Sequence, residues 1–275
     1  MPSPSTLNSR DSILASFDQF REDLDDHNDR RERLIKSSRD ITNLSKKVIF
    51  LLHRTMTEDA AETDDRVLGN RAASRAKGKL KEIQSLFAAI GPELTADRFA
   101  RYQRNVSPGL QEYIEALSFT HYLEHKSLIS YEEVQSSLCD ANGIAYFSLP
   151  LEDYLLGLSD LTGELMRFAI AAISRRGGRQ KANEVCSFVR NCKADFEGMT
   201  PYFKELRKKQ YVTGQSLEKI EDAAYAVAVR ISEFDLPAEM LDDFVAQMVS
   251  RTTDGDRFGE DSRRRTRGTD YVDDD

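Results

Sequence analysis

The sequence predicts an all-α fold, an elongated bundle of about seven helices, and three observations point there. Only 14 glycines and 7 prolines interrupt 275 residues, together about 7.6%, against roughly 12% in an average globular chain. Apolar residues recur at steps of three, four and seven over long stretches, the spacing of one helix face. No stretch of useful length alternates with the period of two that a half-buried strand requires, and no internal repeat is present.

Taken in order, residues 1–10 read as a flexible lead-in to a helical domain over 11–250. Ile13, Phe17, Phe20, Leu24, His27, Arg31, Leu34, Ser38, Ile41, Leu44, Val48 and Leu51 form one stripe from about residue 11 to 54. A helix that long, roughly 65 Å at 1.5 Å per residue, needs several neighbours or another subunit along its length. The polar run TEDAAETDD at 57–65 is a loop. A second helix over 66–90 stops at Gly91-Pro92, and Thr95 caps a short helix to about Asn105. Ser107-Pro108 supplies an N-cap and a proline at the first position of a helix ending near His125. Ser130 with Glu133 is a capping-box pattern.

After the loop DANGIAYFS at 140–148, Pro150 opens the most apolar helix, to about 174. Fifteen of the residues 149–173 are apolar and none is Lys, so this helix is central. RRGGRQK at 175–181 is a basic turn, and helices over about 180–198, 201–209 and 214–234 follow. Pro237 precedes a last short helix to about Val249. The segment 251–275 holds six Arg and eight acids among 25 residues and predicts a disordered charged tail. Its RRRTR at 263–267 is a weak nuclear-localisation pattern.

Composition excludes several classes. Apolar runs such as FAIAAI at 168–173 fall far short of the roughly 20 residues that span a bilayer. The N-terminal MPSPSTLNSRDS lacks an apolar signal core. Cys139, Cys186 and Cys192 have neither CxxC spacing nor histidine companions, which predicts reduced, buried thiols in a cytoplasmic or nuclear protein. The net charge is −8, from 47 acids against 39 bases, and alone it argues against a general nucleic-acid binder.

The central helix carries the strongest anomaly. Asp153, Gly157, Asp160, Glu164 and Arg167 form one polar stripe on an otherwise apolar rod. GLQEYIEAL at 109–117 sets Glu112 and Glu115 three residues apart on one face of another helix. Solvent exposure of both stripes is the plain alternative. If the two pairs face each other, four carboxylates cannot all stay ionised without a cation. All-oxygen donors with no ExxH suit Mg²⁺ or Mn²⁺, and carboxylate-held Mg²⁺ commonly serves phosphoryl chemistry.

Basic residues supply the complementary feature. Arg30, Arg31, Arg33, Lys36 and Arg39 are candidates for nucleic-acid contact, with Lys46 and Lys47 beyond. Arg175, Arg176, Arg179 and Lys181 form a second group, and Lys204, Arg207, Lys208 and Lys209 a third. Each group also fits a solvated or ion-paired face. Of the histidines, His27, His53, His121 and His125, only His121 lies near the ExxE pair in sequence; packing on its own helix is its plainer role. No GxSxG, Walker loop, Rossmann fingerprint or HExxH occurs.

At these same residues the sequence resembles the translin family. The matching stretches are FREDLDDHNDRRERLIKSSRDITNLSKKVIFLLHR at 20–54, GLQEYIEALSFTHYL at 109–123, SLIS at 127–130, DYLLGLSDLTGELMR at 153–167 and SLEKIEDAAYAVAVR at 216–230. The resemblance implies an α-helical bundle that co-assembles with translin as a hollow hetero-octamer, the component 3 promoter of the RNA-induced silencing complex. It implies a Mg²⁺-dependent endoribonuclease site in one type of subunit, whose acids correspond to Glu112, Glu115, Asp160 and Glu164. All four are intact, and translin lacks the first pair, so the chain resembles the catalytic subunit. Glu115 and Glu164 would be the principal ligands. The implied substrates are single-stranded or nicked RNA, notably passenger-strand and transfer-RNA precursor fragments, with single-stranded DNA as a further partner and no membrane. The loop between Cys139 and Leu149 is shorter than in animal members of the family. Two other readings stand beside this one: a non-catalytic partner of translin, and a histidine-based ribonuclease.

Overall fold

The structure, a computed structural model, describes residues 4–58, 64–95, 97–173 and 178–233. The expected tail over 251–275, the short helix after Pro237, Arg175 and Arg176 lie outside the described residues, as does most of the 57–65 loop. Among the described residues there are seven α-helices and no strand: α1 (Pro4–Glu58), α2 (Asp65–Ile90), α3 (Asp97–His125), α4 (Tyr131–Ser136), α5 (Leu151–Ile173), α6 (Gly178–Met199) and α7 (Lys204–Glu233). The chain divides into two compact units after Leu158, within α5.

In the first unit, α1, α2 and α3 pack side by side. Arg75 of α2 reaches Thr55 and Glu58 of α1, and Gln84 and Lys77 of α2 reach Tyr113 and Glu124 of α3. Both pairings run in opposite chain directions. Helix α3 follows α1 in the same direction, since His27 meets Tyr102, Ser38 meets Gly109 and His53 stacks on Phe119. The common core is Leu34, Ile41, Val48, Leu52, Ile83, Phe87, Leu110, Tyr113, Ile114 and Phe119, all fully buried. Burying each such side chain contributes about 1.5–3 kcal/mol. The Tyr113 hydroxyl accepts from Gln84 Nε2 at 2.9 Å and lies 2.9 Å from Ser137 Oγ. Ser137 already donates to Val134 O, so the tyrosine donates to Ser137.

The segment after α3 folds back over this core. Ser130 and Glu133 make the reciprocal capping box at α4. Gln135 then clamps the returning chain, donating to Phe147 O at 3.0 Å and accepting from Leu149 N at 2.9 Å. Phe147 fits against Phe87 and Phe99. The first two turns of α5 pack on α3 through a close approach: a Cβ built on Gly157 would stand 2.7 Å from Ile114 Cβ and 3.0 Å from Gln111 O.

In the second unit, α6 and α7 are antiparallel. Arg190 of α6 donates twice to Glu221 Oε1 of α7, and Lys193 lies beside Gly214. The rest of α5 meets α7 through a buried polar seam: Gln210 Nε2 donates to Ser159 Oγ at 3.3 Å, and Thr213 Oγ1 lies 3.4 Å from Ser159 Oγ and 3.2 Å from Thr162 Oγ1.

Several boundaries differ from the expectation. Helix α1 begins at Pro4, not near residue 11. Its stripe is buried only from Leu34 onward, while Ile13, Phe17, Phe20 and Leu24 are more than half exposed. Pro108 sits inside α3, which is one helix over 97–125. Ser107 does not cap there; its one hydroxyl hydrogen is shared between Gln103 O and Asp153 Oδ2. Gly91-Pro92 does end α2, but in a 3-10 turn (Gly91–Leu94) that leads into α3, and Gly91 leaves room for Tyr146 O, 2.4 Å from where its Cβ would stand. The two helices expected over 201–209 and 214–234 are one, α7, because Gly214 does not break it.

Candidate functional site

The four acids come from two helices. Glu112 and Glu115 are on α3 in the first unit, and Asp160 and Glu164 are on α5 in the second. Glu115 and Glu164 are buried, at 9% and 5% exposure, and Glu112 and Asp160 are part-buried. Simple solvation of the two stripes is therefore excluded. A carboxylate is almost never this buried unless paired or bound to a metal.

Cations of the chain lie against Glu112, Asp160 and Glu164. Lys46 Nζ on α1 lies 3.9 Å from Glu112 Oε2. Lys209 on α7 donates to Asp160 Oδ2, and Arg167 one turn along α5 donates to Glu164 Oε1. Burial pushes the Asp160 carboxyl up, and the Lys209 ammonium opposes that shift. Oxygen donors of this kind match a hard divalent ion. As the side chains stand, however, no group of three or more His, Cys, Asp or Glu is close enough to hold a metal among the described residues.

Asp153 has a different role from the rest of its stripe. It is 3% exposed and accepts from Ser107 Oγ at 2.9 Å and Gln111 Nε2 at 2.7 Å. That pair of bonds fixes the start of α5 on α3, so this acid holds the fold. Arg167 is exposed.

The candidate nucleic-acid residues separate likewise. Arg33 makes a forked pair with Glu93 of the 3-10 turn, the closer contact at 2.8 Å, and Arg30 bridges Asp26 and Glu93. Arg31 pairs with its neighbour Glu32. Lys36 and Arg39 are exposed on the same helix. In the third basic group Lys208 turns to Glu205 on its own helix, whereas Lys209 turns to Asp160. Lys209 is the residue that sequence reasoning passed over as a site neighbour, because a lysine in the run RKK carries no sign of which way it points.

His121 lies away from the ExxE face. Six residues beyond Glu115, it is about 120° around the helix, where it bonds Ser127 Oγ at 3.0 Å and stacks on His125 at 4.5 Å. It borders a cavity of about 220 Å³ with Lys77, Lys81, Gln84 and Glu124. Burial pushes its pKa down, with His125 adding to the fall and Glu133 and Glu124 opposing it. The cysteines are free thiols; burial raises Cys186 and takes Cys192 up to about 11. Neither is an activated nucleophile.

A model of the translin family matches residues 29–231. The chain belongs to the translin family. The matched range includes all four acids and most of both units. Within this family it is similar to translin-associated protein X of Rattus norvegicus, with 37% identity over 254 residues, covering 84% of this chain and 83% of the relative. Two solved structures share the fold. The crystal structure of AfC3PO has a TM-score of 0.59 at 20% identity, covering 78% of this chain and 98% of that one. The structure of the AfC3PO complex with duplex RNA has a TM-score of 0.54 at 19% identity, covering 78% and 97%.

Proposed function

We propose that this translin-family chain is the Mg²⁺-dependent endoribonuclease subunit of a hetero-oligomer with translin, an octamer, hydrolysing single-stranded or nicked RNA in the cytoplasm and nucleus. The observation that carries the reading is the burial of Glu115 and Glu164 within the family-matched region. Desolvated carboxylates cost stability, and a hard cation bound to them would offset more of that cost than the Arg167 pair offers Glu164. Family membership and the fold shared with an RNA-bound protein support RNA as the substrate class. The exposed row Ile13, Phe17, Phe20 and Leu24 on α1 supports assembly, since contiguous apolar exposure marks an interaction surface.

In this reading Glu115 and Glu164 are the principal ligands, and Glu112 and Asp160 complete the set or orient the attacking water. Bound Mg²⁺ would supply water of lowered pKa and neutralise charge developing on the phosphate. Lys46, Lys209 and Arg167 pair with Glu112, Asp160 and Glu164 before the ion arrives. Lys36 and Arg39 are exposed cations that a phosphate backbone can use. The net charge of −8 does not oppose this, because the field at the site and the partner's charge decide RNA binding.

A second reading, a non-catalytic partner of translin in RNA or DNA binding, is favoured by the ion pairs that Glu112, Asp160 and Glu164 make. Co-purified complex incubated with labelled single-stranded RNA separates the two. Cleavage that needs Mg²⁺, stops with EDTA and leaves 3′-hydroxyl ends supports catalysis. Binding without cleavage supports the second reading. EDTA-resistant cleavage leaving 2′,3′-cyclic phosphates would point to histidine chemistry.

A further inference from the structure

The pair between Lys209 and Asp160 joins two helices through a part-buried lysine, whereas the inter-helix pairs Lys46–Glu112 and Lys77–Glu124 use lysines 63% and 61% exposed. Lys208–Glu205 and Lys193–Glu197 each join residues on one helix, with the carboxylate more than half exposed. Such pairs contribute little and exchange freely with water. Lys209 and Asp160 instead join α7 to α5, with side chains 25% and 37% exposed. The register of the two helices is held beside this pair by buried groups. Gln210, next to Lys209, donates to Ser159, next to Asp160. One turn along, Thr213 meets Ser159 and Thr162. These residues are all under 10% exposed, so the lysine stem is delivered to the carboxylate by packing.

We infer that Lys209 is a built-in counter-cation of Asp160, a positioning residue that a divalent ion must displace and that thereby sets the affinity of the site for the ion. The inference rests on the reading of Asp160 as a metal-serving acid. An ammonium engages one carboxylate oxygen with a single charge. A divalent ion engages the same oxygen with twice that charge, but only after Lys209 has let go. Lys209 therefore raises the ion concentration needed for loading in two ways, by occupying Oδ2 and by repelling a second cation nearby. It also keeps the carboxylate pointing the right way while the ion is absent.

The test is Mn²⁺ binding to the purified full-length chain in its assembly, read by the electron paramagnetic resonance of free Mn²⁺, with no RNA present. Removing one positive charge about 5 Å from a divalent ion predicts binding about tenfold tighter in Lys209→Met. Lys209→Arg keeps the charge and should bind within about twofold of the wild type. In an Asp160→Asn background the Lys209→Met gain should vanish, because the lysine acts through that carboxylate. Circular dichroism of each variant distinguishes a lost site from a lost fold, and Lys209→Gln offers a second neutral side chain if Met is not tolerated. Unchanged or weaker Mn²⁺ binding in folded Lys209→Met and Lys209→Gln overturns the inference while leaving Asp160 as a ligand. Mn²⁺ binding that ignores Asp160→Asn in the wild type overturns the reading of the acid itself, and with it the role of Lys209.

Discussion

Gly157 on α5 and Ile114 on α3 approach so closely that a Cβ on the glycine would stand 2.7 Å from the Cβ of the isoleucine. The neighbouring atoms are a branched side chain and the Gln111 carbonyl, neither of which can move without shifting a helix. Gly157→Ala gains about 1 kcal/mol of helix propensity but overpacks at a cost of about 1–3 kcal/mol. Net destabilisation is expected. Gly163, on the same helix, has nothing within 4 Å of its would-be Cβ, and Gly163→Ala should stabilise by about 0.5–1 kcal/mol. Urea midpoints of the two variants should move in opposite directions; a shift of the same sign in both would contradict the packing.

Asp153 belongs to the fold. Asp153→Ala leaves Gln111 and Ser107 without their buried acceptor and should cost about 2–3 kcal/mol. Asp153→Asn keeps the bond from Gln111 and should cost less. Denaturant unfolding measures both. Cleavage per folded molecule should stay within about twofold of the wild type, in contrast to the variants of the four site acids.

His121 gives a pH dependence whose sign follows from its environment. Burial holds its folded pKa below the ordinary value of 6.5. Between those two values the unfolded chain binds a proton that the native state does not, so stability rises with pH across that window and is lost on acidification below 6.5. The groups facing it are His125, Glu124, Glu133 and the cavity lysines Lys77 and Lys81. His121→Asn should remove part of the stability difference between about pH 7.5 and about pH 5.5. Equal differences in wild type and variant would show that His121 does not titrate on unfolding.

Much of the fold is legible in the sequence because its signals are local. The Ser130/Glu133 capping box and the apolar rod over 151–173 need only a few neighbouring residues to be read, and both occur as expected. At the start expected near Ser107 a local signal is overridden by packing. Ser107-Pro108 looks like a helix start, yet Val106, Gly109 and Leu110 are buried on both sides of it, and a continuous α3 buries more than two short helices would. At the site, spacing nominates Glu112, Glu115, Asp160 and Glu164 as acids. It cannot separate Asp153, whose partners Ser107 and Gln111 lie over forty residues away. Nor can it single out Lys209, or show that Arg30 and Arg33 are held by Glu93.

On the proposed function, Glu115 serves a Mg²⁺-dependent cleavage of RNA. The direct measurement is the single-turnover rate of cleavage of a labelled single-stranded RNA in Mg²⁺ by the co-purified complex, wild type beside Glu115→Gln. The substitution removes a charged oxygen donor with little change in volume, so assembly and RNA binding should persist while the rate falls at least about a hundredfold, roughly 2.7 kcal/mol in the barrier. Undiminished cleavage by the Glu115→Gln complex, in Mg²⁺ and free of contaminating nuclease, would remove Glu115 from the catalytic site.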